Sequence, residues 1–222
     1  MLKSLTVMLL LISVVSCAQR ETPNKIMSVA ATNVSAGMTS AESTDPLDTA
    51  YFANGCFWCT EAIFQQLKGV EKVTSGYSGG HVVDPTYKEV CTGTTGHAEC
   101  IRILYDPRQI SFAELLEVFW QTHDPTTLNR QGNDVGPQYR SAVFFLNEEQ
   151  KEKALFYKNE LNKSGAFPRP IVTEISPFTN FYAAENYHQD YYNQNGDQPY
   201  CTFVIRPKLE KFEKVFKDKI KH

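Results

Sequence analysis

The chain has little that would draw it to nucleic acid: 22 Lys and Arg stand against 25 Asp and Glu, the net charge is −3, and no basic stretch stands out. It lacks a dinucleotide fingerprint. Its one glycine-rich stretch, Ser75-Gly76-Tyr77-Ser78-Gly79-Gly80, lacks the Lys-Ser/Thr ending of a phosphate loop, so it reads as a turn with several residues free to take positive φ. No pair of the six cysteines has a partner pair at zinc-finger spacing, and His81, His97, His123 and His222 share no ligand spacing, so the expectation is no metal. The apolar run Leu5 to Val15 is too short for a comfortable transmembrane span.

What that run does provide is an address. It follows Lys3 and leads into Ser16-Cys17, the pattern of a secretory signal over residues 1–17. A small residue directly before a cysteine is similar to a bacterial lipoprotein signal, in which cleavage leaves Cys17 as a lipidated N-terminus; an ordinary signal peptide with an incidental cysteine is the plainer alternative. Residues 18–47 are mostly small or polar and cannot form a core. They read as a flexible tether with a reach of ~30 Å, enough to hold a domain clear of a membrane. The expectation is an exported protein, anchored by lipid in the periplasm or cell envelope. Residues 48–222 form one globular domain, because a chain with 42% hydrophobic residues can bury a sizeable core. With Cys17 set aside, Cys56, Cys59, Cys91, Cys100 and Cys201 are an odd set, so at least one stays free or cycles.

The domain is organised around Gly55-Cys56-Phe57-Trp58-Cys59. Thr49 to Ala53 reads as a strand and Asn54-Gly55 as a tight turn; Cys59, Ile63, Phe64 and Leu67 then mark one helix face. Cys56 therefore sits at a helix N-terminus, where unpaired N–H groups and the positive end of the dipole are expected to lower a thiol pKa from ~8.5. It is the candidate nucleophile. Cys59 lies one turn later, near enough for a disulfide if the Cα atoms come within ~4.4–6.8 Å. Cys91, Cys100 and Cys201 read as small buried residues, with Cys201 the reserve thiol.

Further along, Gly69 to Thr74 is a second strand and Asp84 to Cys91 a turn entering one helical turn. In the strand His97 to Tyr105, Glu99 shares a face with Ile101, Ile103 and Tyr105. A carboxyl on an apolar face is held protonated by desolvation and becomes a proton donor at neutral pH; the alternative is a frayed strand end in water or a pair with Arg102. Ser111 and Glu114 form a capping box for a helix to His123. Asp124 to Gln138 is long and irregular enough for a functional loop. A strand over Tyr139 to Leu146, a helix to Lys163 begun by Asn147 and Gln150, a strand Pro170 to Ile175, a tyrosine-rich helix Phe181 to Gln194 carrying His188 and an amphipathic helix Lys208 to Ile220 complete the chain. Strands and helices without a regular βαβ rhythm predict an α+β fold with a mixed sheet.

With these residues in view, the chain resembles the A-type peptide methionine sulfoxide reductases over roughly Asp48 to Phe212. The resemblance rests on Gly55-Cys56-Phe57-Trp58, Thr86-Tyr87-Lys88-Glu89-Val90, Gly96-His97-Ala98-Glu99, Tyr105-Asp106-Pro107, Gly132-Asn133-Asp134-Val135-Gly136-Pro137-Gln138-Tyr139-Arg140-Ser141 and Ala184-Glu185-Asn186-Tyr187-His188-Gln189. It implies a two-layer α/β sandwich with a ferredoxin-like core, reducing the S epimer of methionine sulfoxide, free or in proteins, to repair oxidised exported proteins. It implies no bound cofactor, a monomer, and an external thiol reductant such as a thioredoxin-like protein. Cys56 would attack the sulfoxide sulfur, Glu99 would supply the proton its oxygen needs to leave, and Tyr87 and Tyr139 would donate hydrogen bonds to that oxygen. Phe57 and Trp58 resemble the pocket for the substrate methyl, Asp134 the acid beside the site, and His188 a residue positioning the acid network. Many relatives have glycine at position 59 and resolving cysteines in a C-terminal tail; here Cys59 takes the resolving role. Two rivals remain: a general thiol–disulfide oxidoreductase, which gives no reason for the Gly96–Glu99 and Gly132–Tyr139 segments, and a tethered lipoprotein that captures oxidised peptides or a metal without turnover.

Overall fold

The computed structural model describes residues 47–221; the signal, Cys17 and residues 18–46 lie outside the described residues. Chain order is β1 (Asp48–Asn54), α1 (Phe57–Phe64), β2 (Val70–Ser78), α2 (Tyr87–Cys91), β3 (Ala98–Tyr105), α3 (Phe112–Gln121), the small hairpin β4 (Arg130–Gln131) and β5 (Asp134–Val135), β6 (Ser141–Phe145), α4 (Glu148–Ser164), β7 (Glu174–Pro177), β8 (Phe181–Ala183), α5 (Tyr191–Gln194) and α6 (Arg206–Phe216). Six strands pair in the order β7-β6-β1-β3-β2-β8. The inner four, with α1 and α3 as crossovers, make the split β-α-β pairs of a ferredoxin-like core, and β7 alone runs parallel to its neighbour, so the sheet is mixed. The α+β expectation holds.

The period of two along the strands divides the interior. Phe52, Ile101, Ile103, Tyr105 and Val143 face α1 and α3, where they meet Ile63, Phe64, Leu67, Leu115, Leu116 and Phe119, all buried. Each such side chain stabilises the fold by ~1.5–3 kcal/mol relative to exposure. On the opposite face Tyr51, Ala53, Ala98, Cys100, Ala142 and Phe144 lie under Phe178 and Phe181, with the Tyr51 and Phe178 rings stacked at 4.2 Å. The expected capping box of Ser111 with Glu114 starts α3, and the structure adds a second, Thr86 with Glu89, at the start of α2.

Three stretches depart from the sequence reading. Ser75 to Ser78 is not a loop but the second half of β2, and Gly76 is needed there for close approach: a Cβ would stand 2.4 Å from both the Phe181 ring and the Tyr182 carbonyl oxygen. The chain turns only at Gly79, with φ +78°. The helix expected over Phe181 to Gln194 is instead β8, a 3-10 turn Asn186–His188 and the short α5. The reason is tertiary: the Gln189 side-chain amide accepts from Ser75 N and donates to the Ser75 and Ala184 carbonyls at 2.8–3.0 Å, taking the place of a strand neighbour and holding the segment out of a helix. Pro170 to Thr173 is not strand, since Ile171 N donates to Asn162 Oδ1 and Val172 N to the Pro125 carbonyl, away from any ladder.

Candidate active site

Gly55, at φ +101°, turns the chain from β1 into α1 in a space where a Cβ would lie 2.7 Å from Gln131. Thr60 then donates its hydroxyl to Asn54 Oδ1 and to the Cys56 carbonyl, locking turn to helix. Cys56 is the N-cap of α1 but makes no side-chain capping bond, so its sulfur is left for other partners. The first amide of the helix points elsewhere: Phe57 N donates to Glu99 Oε2 at 3.0 Å.

That bond settles the position of Glu99. It is 1% exposed on β3, neither frayed nor paired with Arg102. Burial raises its carboxyl to about 8, against the pull of Phe57 N–H, with the charges of Asp134 and Cys59 adding to the rise. Glu99 is therefore protonated at neutral pH.

The expected lowering at Cys56 is reversed. Burial pushes its thiol well above the ordinary value, and the hydrogen bond with Cys59 acts in the same direction. A helix terminus contributes ~0.3–1 kcal/mol, less than desolvating a thiolate costs, and here its first N–H serves Glu99 instead. Cys59 moves the other way, to about 7, through its hydrogen bond with Cys56 and, against the opposing effect of burial, through Lys208 and Tyr200.

Around the thiols the aromatic residues converge. Phe57 lies 6.0 Å from Tyr77, 6.4 Å from Tyr87 and 5.1 Å from His188 between ring centroids, and Trp58 stacks on Tyr191 at 3.7 Å and 8°. Burial pushes the phenols of Tyr87 and Tyr139 up, so both remain O–H donors. Glu185 anchors this wall, accepting from Tyr87 N and from Tyr77 Oη at 2.8 Å. His188 is 1% exposed, its two ring nitrogens have no hydrogen-bond partner, and burial lowers its pKa; it packs as a neutral ring 4.3 Å from Tyr87. Among the described residues no group of His, Cys, Asp and Glu could hold a metal ion.

Sequence reasoning missed Tyr200. Its hydroxyl donates to Asp134 Oδ2 at 2.9 Å and lies 3.9 Å from Cys59 Sγ, tying the β4–β5 hairpin to the thiol pair. The only signal was a tyrosine directly before Cys201, in a stretch that forms a π turn over Cys201–Ile205. Of the remaining cysteines, Cys100 and Cys201 are buried as expected, whereas Cys91 is exposed, because it closes α2, a helix that buries only Val90.

A family model described as peptide methionine sulfoxide reductase matches residues 48–220. The chain is 52% identical over 186 residues to the peptide methionine sulfoxide reductase MsrA of Deinococcus radiodurans, covering 82% of this chain and 90% of that one. It is 53% identical over 175 residues to the MsrA of Saccharolobus solfataricus, covering 79% of this chain and 98% of that one. Among solved structures it is similar to Mxr1 from Saccharomyces cerevisiae in reduced form, with a TM-score of 0.67 at 33% identity over 72% of this chain and 92% of that one. Methionine sulfoxide reductase A of Corynebacterium diphtheriae gives 0.62 at 37% identity over 69% and 77%.

Proposed function

The chain belongs to the peptide methionine sulfoxide reductase family and is an oxidoreductase that reduces methionine sulfoxide; from that premise we propose how its residues divide the reaction. Cys56 attacks the sulfoxide sulfur as Glu99 protonates the oxygen, and Tyr87 and Tyr139 donate hydrogen bonds to that oxygen as charge gathers on it. The hydroxyl passes to the Cys56 sulfur as the bond between that sulfur and the methionine sulfur breaks; methionine leaves with the electron pair, the thiol proton given up by Cys56 makes good the one spent by Glu99, and Cys56 is left as a sulfenic acid. The observation that carries this reading is the bond from Phe57 N to Glu99, which holds a buried, protonated acid one residue from the nucleophile. Phe57 and Trp58 offer an apolar wall for the substrate methyl, and Asp134 borders it through Tyr200; membership of the family supports the S epimer, in proteins, peptides and free methionine, as the substrate. His188 acts here as a packed ring behind Phe57 and Tyr87 rather than as a hydrogen-bonding group.

Cys59 resolves the sulfenic acid to a Cys56–Cys59 disulfide, and an external dithiol of the thioredoxin type reopens it. The place of Cys59 in the first turn after Cys56, its N–H donating to the Cys56 carbonyl at 3.1 Å and both thiols buried together, supports this assignment. The protein acts as a monomer, exported and held by a lipid on Cys17, where it repairs oxidised proteins of the cell envelope. A Cys59→Ser enzyme is expected to release about one methionine and stall with a dithiol protein as donor. Sustained turnover at the wild-type rate would remove Cys59 from the cycle.

A further inference from the structure

Cys59 is 4% exposed, so a proton leaving its sulfur needs a carrier to reach water. Tyr200 occupies that place. Its hydroxyl is in hydrogen-bond contact with Cys59 Sγ at 3.9 Å and donates to Asp134 Oδ2 at 2.9 Å. A phenol has a single O–H, and here that hydrogen is given to Asp134. Toward the sulfur the oxygen therefore offers a lone pair, and the Cys59 thiol is the donor. The two bonds run in one direction, from a buried thiol through a phenol to a carboxylate. Both carriers are fixed in place: the Tyr200 ring meets Trp58 edge-on at 5.8 Å, and Asp134 is paired with Gln131 in the β4–β5 hairpin, where it is partly exposed.

The other titratable groups of the site are poor acceptors for that proton. Glu99, on β3, is already protonated and serves the sulfoxide oxygen. Tyr87, on α2, and Tyr139, before β6, are phenols held as O–H donors, and Cys201, in the π turn, is a thiol that burial pushes up. Lys208, on α6, is a cation without a free lone pair, and Cys56 is the electrophile once it is oxidised. Asp134 supplies the anion. A thiol is a poor nucleophile beside its thiolate, so an acceptor for its proton speeds the attack.

We propose that Tyr200 is a catalytic residue of the second half-reaction, passing the Cys59 thiol proton to Asp134 as Cys59 attacks the Cys56 sulfenic acid. The proposal rests on the reading of Cys59 as the resolving thiol. In the step itself the Cys59 S–H bond breaks toward Tyr200 Oη while the Tyr200 proton moves to Asp134 Oδ2, so the phenol is neutral before and after. The electron pair left on sulfur forms the S–S bond, and the S–O bond of the sulfenic acid breaks. The departing hydroxide takes a proton from Glu99 and leaves as water. Asp134 then gives its proton to solvent and Glu99 regains one, so no net proton is gained or lost. Cys59 is oxidised, and the Cys56 sulfenic sulfur is reduced to the disulfide level.

The test separates the two half-reactions. Pre-reduced enzyme is mixed with one equivalent of the S sulfoxide without external reductant, and the rates of methionine release and of second-thiol loss are followed from pH 6 to pH 9. Cys59 titrates at about 7, so at pH 6 about a tenth of it is thiolate without help, and loss of the relay slows its attack by at most about tenfold. In Tyr200→Phe, which keeps the ring against Trp58, the ratio of disulfide formation to methionine release should fall about tenfold at pH 6 and return to the wild-type ratio by pH 9. Asp134→Asn, which still accepts from the Tyr200 hydroxyl but takes no proton, should do the same, and the double variant should fall no further than either one. An unchanged ratio in the single variants would overturn the proposal. So would a fall in Tyr200→Phe alone, or one of equal size at every pH, because the hydroxyl would then only place the sulfur. Cys59→Ser run alongside distinguishes the failures: continued loss of two thiols per methionine removes the resolver and the relay together, whereas a stall there with normal kinetics in the other variants removes the relay alone.

Discussion

Glu99→Gln sets stability against activity in a way that depends on pH. The carboxyl is raised from 4.5 to about 8 in the fold. Between those values the folded protein keeps a proton that the unfolded chain has released, and each pH unit of that gap is worth about 1.4 kcal/mol. The sign follows: the stability tied to the protonated acid is fully present below 4.5 and is lost as pH rises through about 8. At pH 7 the burial of Glu99 costs the fold at most about 3 kcal/mol, and above pH 8 about 5 kcal/mol. Glutamine carries no proton to lose and still offers Phe57 N–H a carbonyl acceptor at the place of Oε2. The variant should therefore match wild type near pH 5, exceed it by up to about 3 kcal/mol at pH 7 and gain further by pH 9. Urea denaturation of both proteins, with thiols kept reduced, measures the differences directly. Methionine release in a single turnover should slow by ~10²-fold or more, the scale on which loss of a donor to developing charge is felt. Parallel stability curves from pH 5 to 9, or an unslowed first step, would refute the claim that Glu99 is a buried acid used for chemistry.

Two further predictions concern the fold and the anchor. In Gly76→Ala the new methyl meets the Phe181 ring and the Tyr182 backbone at 2.4 Å, so β8 must separate from β2; a loss of about 2–3 kcal/mol should appear in denaturation, and a cost below 0.5 kcal/mol would show that the contact gives way freely. Cys17→Ala should move the expressed protein from the membrane fraction to the soluble exported fraction, and undiminished membrane retention would rule out lipidation at that residue.

The core was legible because local and tertiary forces agree there. Alternation along Ala98–Tyr105 placed Glu99 on the apolar face, and the Ser111/Glu114 pair marked a helix start that the structure reproduces. Where the sequence misled, a distant group had taken over a local choice. Gly76 looks like a turn residue until the Phe181 ring is seen against it, and Phe181 to Gln194 looks helical until Gln189 is seen bonded to Ser75. The thiol pair failed for a similar reason. A helix terminus is visible in sequence, but the burial that outweighs it at Cys56, and the Lys208 and Tyr200 side chains that act on Cys59, come from segments about 140–150 residues away.

The central claim is that Cys56 reduces the S epimer of methionine sulfoxide with the help of its neighbours. Its most direct test is a single turnover of pre-reduced protein lacking residues 1–17, given the separated S and R epimers of a methionine sulfoxide peptide, beside Cys56→Ser. The expected result is about one methionine per enzyme from the S epimer alone, and none from the variant. Methionine from the R epimer, or equal yield from Cys56→Ser, would contradict the assignment of nucleophile and pocket.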